Sequence, residues 1–193
     1  MPHRYAVILG TLLGALTVLN GCAPIIVAGA GTAAVAAHDR RTVGAFIDDQ
    51  AIEVKVRNAI HADETLRKQA HINITSVNGI VLLSGEAPTA EARDQVLDRA
   101  RSVAGIRQIV NEIQVAPAAT FASRSHDTWL TTKVKTNLVR VDDLDSTRVK
   151  VVTENDVVYL LGLVTKREAD SATEAARTVS GVARVVKLFE YID

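Results

Sequence analysis

The feature that most constrains this chain is that most of it is written twice. Ile52, Lys55, Val56 and Ile60 recur as Leu130, Lys133, Val134 and Leu138, each 78 positions later. Asn78, Val81, Leu83 and Gly85 recur as Asn155, Val158, Leu160 and Gly162, each 77 positions later. Ala100, Arg101, Val103, Gly105 and Val110 recur as Ala176, Arg177, Val179, Gly181 and Val186, each 76 positions later. An offset that shrinks by one from block to block is what loop insertions and deletions leave between duplicated domains. The chain is therefore expected to fold as two like units. Residues 117–125 lie between them and read as a linker.

Each copy carries the same order of elements. Residues 49–61 place Ile52, Val56, Ala59 and Ile60 at helical spacing. Residues 71–77 alternate apolar and polar as a strand, and Asn78-Gly79 follows as a tight hairpin turn whose residues tolerate positive φ. The run after the turn, Ile80 to Gly85, is a second strand. A helix from about Thr89 to Val103 comes next, with Gly105 as its left-handed stop, and residues 106–115 form a last strand. The second copy repeats this, with Asn155-Asp156 as the turn and Gly181 as the stop. The expected class is α+β: two tandem units, each helix–strand–strand–helix–strand, with two helices on a three-stranded mixed sheet. Gly85 and Gly162, which end the second strand of each copy, are expected to meet a backbone demand, either positive φ or close approach of a helix.

The N-terminus carries a separate signal. The short basic start ends in Arg4, and Ala6 to Leu19 is an uncharged apolar run. That run is too short to span a bilayer comfortably and long enough for a signal-peptide core. It ends in Leu19-Asn20-Gly21-Cys22, and Cys22 is the only cysteine of the chain. This resembles a bacterial lipoprotein signal, with Leu and Gly at the expected positions and Asn20 a less usual residue between them. The resemblance implies cleavage before Cys22 and diacylglycerol on its sulfur. An aspartate directly after the cysteine would resemble an inner-membrane retention signal. Ala23 stands there instead, which implies the outer membrane, facing the periplasm. Residues 23–37 are small and apolar and read as either a membrane-hugging tether or a weak helix.

The repeated unit resembles the BON domain. The features that carry the resemblance are the first apolar helix, the Asn-Gly-type hairpin, the strand ending in Gly85 or Gly162, and the helix ending at Gly105 or Gly181. With the lipoprotein signal and the lead His38-Asp-Arg-Arg-Thr-Val-Gly44, the whole chain is similar to the dual-BON outer-membrane lipoproteins of Gram-negative bacteria. Asp127 to Val134 and Gly162 to Glu168 are the most specific stretches. Domain bounds follow as 1–21 for the signal peptide, 22–47 for the lipidated tether, 48–115 for the first BON unit, 116–126 for the linker and 127–193 for the second. The resemblance implies phospholipid binding and a part in keeping the outer membrane intact, including at the division site.

The residues themselves point to binding rather than catalysis. The 22 basic residues are matched by 22 acidic ones, so bulk charge does not draw the chain to nucleic acid. No nucleophile elbow, metalloprotease helix or phosphate-cradling glycine loop is present. The histidines are scattered, and a single cysteine makes neither a disulfide nor a multi-cysteine zinc site. Asp142, Asp143 and Asp145 form a dense acidic cluster without the ligand number or turn glycine of a calcium loop, and read as a solvated loop. No cofactor is expected.

The two copies differ most on their first helices. Residues 48–115 hold no aromatic residue, whereas residues 127–193 hold Trp129, Tyr159, Phe189 and Tyr191. The second helix carries Lys133, Lys135 and Arg140 against Asp127 alone. On a helical wheel Leu130, Val134, Leu138 and Val141 form the core stripe. Trp129, Lys133, Thr136 and Arg140 fall within about 60° of one another on another face. The matching line in the first copy is Ala51, Lys55, Asn58 and Ala62. A tryptophan flanked by cations suits an anionic lipid interface. The phospholipid-binding residues are accordingly expected to be Trp129, Lys133, Thr136 and Arg140, with Lys135 beside them. Two alternatives stay open: Trp129 packs as a plug against the other domain or Phe121, or the chain is a protein-interaction scaffold for outer-membrane assembly or cell-wall machinery with Trp129 at its interface.

Overall fold

The structure is a computed structural model and describes residues 40–193. The signal peptide, Cys22 and the apolar tether lie outside the described residues. Among the described residues no helix is long and apolar enough to cross a membrane.

The first unit opens with α1 (Val43–His61), whose Ala45 N–H is capped by the Thr42 hydroxyl. Its inner stripe buries Ile52, Val56 and Ile60. A short α2 (Glu64–Gln69) follows, capped by Asp63 and held by the buried Leu66. Then come β1 (His71–Val77), β2 (Ile80–Ala87), α3 (Ala90–Arg101) and β3 (Gln108–Val115). The second unit repeats the plan with α4 (Phe121–Val139), β4 (Lys150–Glu154), β5 (Val157–Val164), α5 (Lys166–Arg177) and β6 (Arg184–Tyr191). A single 3-10 turn, Ser146–Arg148, stands where the first unit has α2.

Each sheet is mixed. β1 and β2 are an antiparallel hairpin, and β3 returns parallel to β2 after the α3 crossover. β4, β5 and β6 repeat this order. Both hairpin turns use positive φ at two residues, Asn78 and Gly79 in one and Asn155 and Asp156 in the other. Paired positive φ matches the turn twist to that of the flanking strands.

Two helix starts differ from the sequence reading. α1 begins six residues before Asp49, because Thr42 supplies the cap and Gly44 does not break the following turn. α4 begins at Phe121, inside the segment read as linker, because Thr120 caps it through the Ser123 N–H. The Asp142–Asp145 loop is also more than solvated surface. Asp143 pairs with Arg167 at 2.6 Å, and Asp145 accepts from Thr147 as the cap of the 3-10 turn.

Each helix pair covers one face of its own sheet. Ile52, Val56, Val81, Leu83, Val96 and Ile113 share the first core. Leu130, Val134, Val158, Leu160, Ala172 and Ala176 share the second. The other faces of the two sheets meet in a third core of Val77, Leu82, Tyr159 and Leu161. The layers thus run helix, sheet, sheet, helix. β2 and β5 are buried on both faces, which is why each reads as a nearly continuous apolar run rather than an alternating one.

Polar bonds close the seam between the sheets. Asn78 and Asn155 hold equivalent turn positions, and each donates across the seam to a carboxylate. Asn78 Nδ2 reaches Glu190 at 2.7 Å and Asn155 Nδ2 reaches Glu86 at 2.7 Å. Asn73 Nδ2 donates to Glu154 at 2.6 Å, and Lys150 Nζ to Glu53 at 3.0 Å. Burial raises the pKa of the Glu154 carboxyl, and the nearby Glu86 and Asp127 charges act the same way, against the lowering bond from Asn73.

Gly85 and Gly162 sit where the chain at or just before the first strand of each unit passes close to the second strand. A Cβ on Gly85 would lie 2.0 Å from the His71 carbonyl oxygen, and one on Gly162 would lie 2.1 Å from that of Arg148. Gly85 also has φ of 107°. The close approach is therefore made by the start of β1 at Gly85 and by the end of the Ser146–Arg148 3-10 turn at Gly162, not by a covering α-helix. Gly105 and Gly181 sit at positive φ just beyond α3 and α5, facing Ile52 and Leu130 of the first helices.

Candidate functional site on the first helix of the second unit

α4 is held by its inner stripe, with Leu130, Val134 and Leu138 at 1% exposure or less. That packing turns the opposite face outward and leaves Trp129 53% exposed. Thr128, Thr132 and Thr136 each donate their hydroxyl to the carbonyl four residues earlier, at 2.9, 3.0 and 2.8 Å. Their hydroxyl protons are thus spent on the helix itself.

A groove of ≈ 510 Å³ runs between α4 and the end of α5. Trp129, Lys133, Thr136 and Arg140 line one side, and Val179 and Ser180 the other. Four of the five residues expected at a lipid site are brought together here. Lys135 is not among them: it lines a separate furrow of ≈ 300 Å³ with Val139, Ser146 and Thr147. The wheel explains the separation, since Lys135 lies more than about 100° from the Trp129–Lys133 line.

The groove is built by α4 capping α5. Lys133 Nζ donates to the Ser180 carbonyl at 2.7 Å, and Asn137 Nδ2 to the Ala175 carbonyl at 2.7 Å. Both reach carbonyls of the last turn of α5 or the turn that follows it, where intrahelical partners run out and the helix dipole favours positive charge. The Lys133 ammonium also stands 4.2 Å from the centre of the Trp129 ring. His126 lies on the same stretch, its ring 5.5 Å from that of Trp129. Arg140 is exposed and has no hydrogen bond or ion pair to another side chain among the described residues. The plug reading fits poorly, because Phe121 is 78% exposed and Trp129 faces a groove.

Asp127, two residues before Trp129, enters the sequence analysis only as the one acidic charge of the helix, yet it is a buried structural residue. It is 5% exposed and accepts the Asn155 and Asp156 N–H groups at 3.0 Å each. It thereby ties α4 to the turn between β4 and β5. Asp49 does the same in the first unit, and the shared 78-residue offset was the signal that could have revealed both. Another buried carboxylate, Glu168, closes a capping box at the start of α5 and accepts Arg40 at 2.6 Å and Arg148 at 2.9 Å. Burial opposes its ionisation, but bonds from Thr165, Arg40 and Arg148 outweigh this and hold its pKa down to about 2. Among the described residues no cluster of His, Cys, Asp and Glu is arranged to hold a metal ion.

Residues 48–117 and 126–193 each match the BON domain, so the chain belongs to the BON-domain family. Within it, the group is that of the dual-BON outer-membrane lipoproteins, and the chain is placed at the outer membrane by a lipid anchor. It is 40% identical over 185 residues to the outer membrane lipoprotein DolP of Haemophilus influenzae, covering 96% of each chain. It is 37% identical over 154 residues to a 21 kDa hemolysin of Actinobacillus pleuropneumoniae, covering 80% of this chain and 79% of that one. It is 31% identical over 146 residues to the osmotically-inducible protein Y of Escherichia coli, covering 74% of this chain and 72% of that one.

Proposed function

We propose that this chain is a non-enzymatic lipoprotein, anchored through Cys22 and facing the periplasm, that binds anionic phospholipid with the outer face of α4. In this role it helps to maintain the outer membrane, including at the division site. The observation that carries the reading is Trp129. It is the only tryptophan of the chain, half-exposed on a helix face beside Lys133 and Arg140. The sister helix holds Ala51, Lys55 and Ala62 at those places. An indole with adjacent cations is at home where headgroups meet acyl chains. Each cation near an anionic surface adds about 1 kcal/mol, so the groove alone binds weakly and the acyl anchor supplies the local concentration.

A second reading is a protein-interaction scaffold for outer-membrane assembly or cell-wall machinery. Val43, Ile47 and Val54, at 61%, 60% and 50% exposure along one side of α1, favour it for the first unit. Sedimentation of the non-lipidated Cys22→Ser chain with vesicles separates the two. The lipid reading expects binding to phosphatidylglycerol-containing vesicles and little to pure phosphatidylcholine. The scaffold reading expects binding to neither.

A further inference from the structure

Lys133 and Arg140 line the same groove, but their surroundings differ. The Lys133 ammonium is committed twice within the protein, to the Ser180 carbonyl at 2.7 Å and to the face of Trp129 at 4.2 Å. It is half-buried, and releasing it toward a ligand would strip a carbonyl past the end of α5 of its donor. Arg140 stands at the C-terminal end of α4, exposed, with its guanidinium unclaimed by any carboxylate among the described residues. A planar fork of donors free of internal partners is the group suited to a phosphate. The geometry points to a division of labour within the groove: Arg140 binds the lipid phosphate, and Lys133 is a positioning residue that fixes the Trp129 ring and the end of α5 as the groove wall.

The two roles leave different marks. A cation that meets the headgroup contributes to the salt dependence of binding, because mobile ions screen it. A cation already bonded within the protein contributes little to that dependence, and instead fixes the indole in the free protein. Thr136 and Asn137 sit between the two. The Thr136 hydroxyl and the Asn137 amide donate inward, at 2.8 and 2.7 Å, so Arg140 is the cationic donor left for an incoming anion on this side of the groove.

This assignment rests on the lipid-binding reading, and the test separates the two. Trp129 is the sole tryptophan, so its fluorescence reports the groove without labelling. In the Cys22→Ser chain, acrylamide quenching is measured without lipid. Sedimentation with equal parts phosphatidylglycerol and phosphatidylcholine is then followed over a range of salt. Lys133→Met is expected to raise quenching in the free protein and to keep the salt dependence of binding, and Lys133→Arg to restore wild-type quenching. Arg140→Gln is expected to leave quenching unchanged, to weaken binding about fivefold and to flatten its salt dependence, that being the contribution of one cation at an anionic surface. Lys133→Met with wild-type quenching and flattened salt dependence would overturn the assignment. Inorganic phosphate that protects Trp129 as vesicles do would overturn the lipid as the source of the phosphate. If the unsubstituted chain ignores the vesicles while Lys133→Met still exposes Trp129, the lipid reading and the Arg140 role fail, and the Lys133 role stands.

Discussion

Asp49 and Asp127 hold the same position in the two copies, and each carboxylate grips the hairpin turn of its own unit. Asp49 accepts from Ser76 Oγ at 2.6 Å and from the N–H groups of Asn78 and Gly79 at 2.7 and 2.9 Å. Asp127 accepts from the N–H groups of Asn155 and Asp156. A turn with two positive-φ residues leaves N–H groups that the hairpin ladder does not use, and one buried acid per unit takes them up. The same acid ties the first helix to the sheet, so the helix that carries the candidate site is positioned by its own second turn.

Removing that acid should be costly. Asp49→Ala leaves two turn N–H groups and the Arg41 guanidinium, bonded to it at 2.8 Å, without this acceptor. Loss of one partner of a buried pair costs about 3 kcal/mol or more. Urea denaturation should show the midpoint falling by that equivalent, whereas Asp48→Ala, one residue away and exposed, should change stability by less than about 0.5 kcal/mol.

Gly162 has no room for a side chain. Its Cβ would lie 2.1 Å from the Arg148 carbonyl oxygen, a backbone atom that moves only with the 3-10 turn leading into β4. Gly162→Val should destabilise the second unit by about 2 kcal/mol or more, read as a lowered melting temperature. A variant melting with the wild type would show that the turn ending at Arg148 yields freely there.

Acid should unfold the second unit through Glu168. Its carboxyl is held down from 4.5 to about 2 in the folded chain. A depressed acid stabilises the fold above its unfolded pKa, and that contribution is lost as pH falls through the folded value. Stability should thus decline between about pH 4.5 and pH 2, and Glu168→Gln should flatten the decline over that window. Arg40→Ala should shift it to higher pH. A Glu168→Gln chain with an unchanged acid profile would contradict the assignment.

The sequence made some of this legible and hid the rest for physical reasons. The two-fold repeat, the hairpin turns and the helix stripes are local patterns, and Asn78, Gly79, Ile52 and Val56 announce them directly. The seam between the sheets is not local. Leu82 and Tyr159 alternate with residues of the first and second cores, and an apolar strand reads alike whether one face or both are covered. α2 went unread because Glu64–Gln69 is short and polar apart from Leu66. In the candidate site, the wheel grouped Trp129, Lys133, Thr136 and Arg140 correctly, since they share one helix. It could not show that Lys133 is bonded to Ser180, because that partner comes from the far end of the unit.

The central claim, that the outer face of α4 meets the bilayer, is tested most directly by Trp129→Glu. Trp129 lies off the core stripe at 53% exposure, so the variant should keep its circular dichroism and melting temperature. It replaces an interfacial anchor with a charge that anionic headgroups repel. Sedimentation with phosphatidylglycerol-containing vesicles should therefore fall to the level seen with phosphatidylcholine alone. A folded Trp129→Glu chain that sediments with those vesicles as the wild type does would remove this helix as the lipid site.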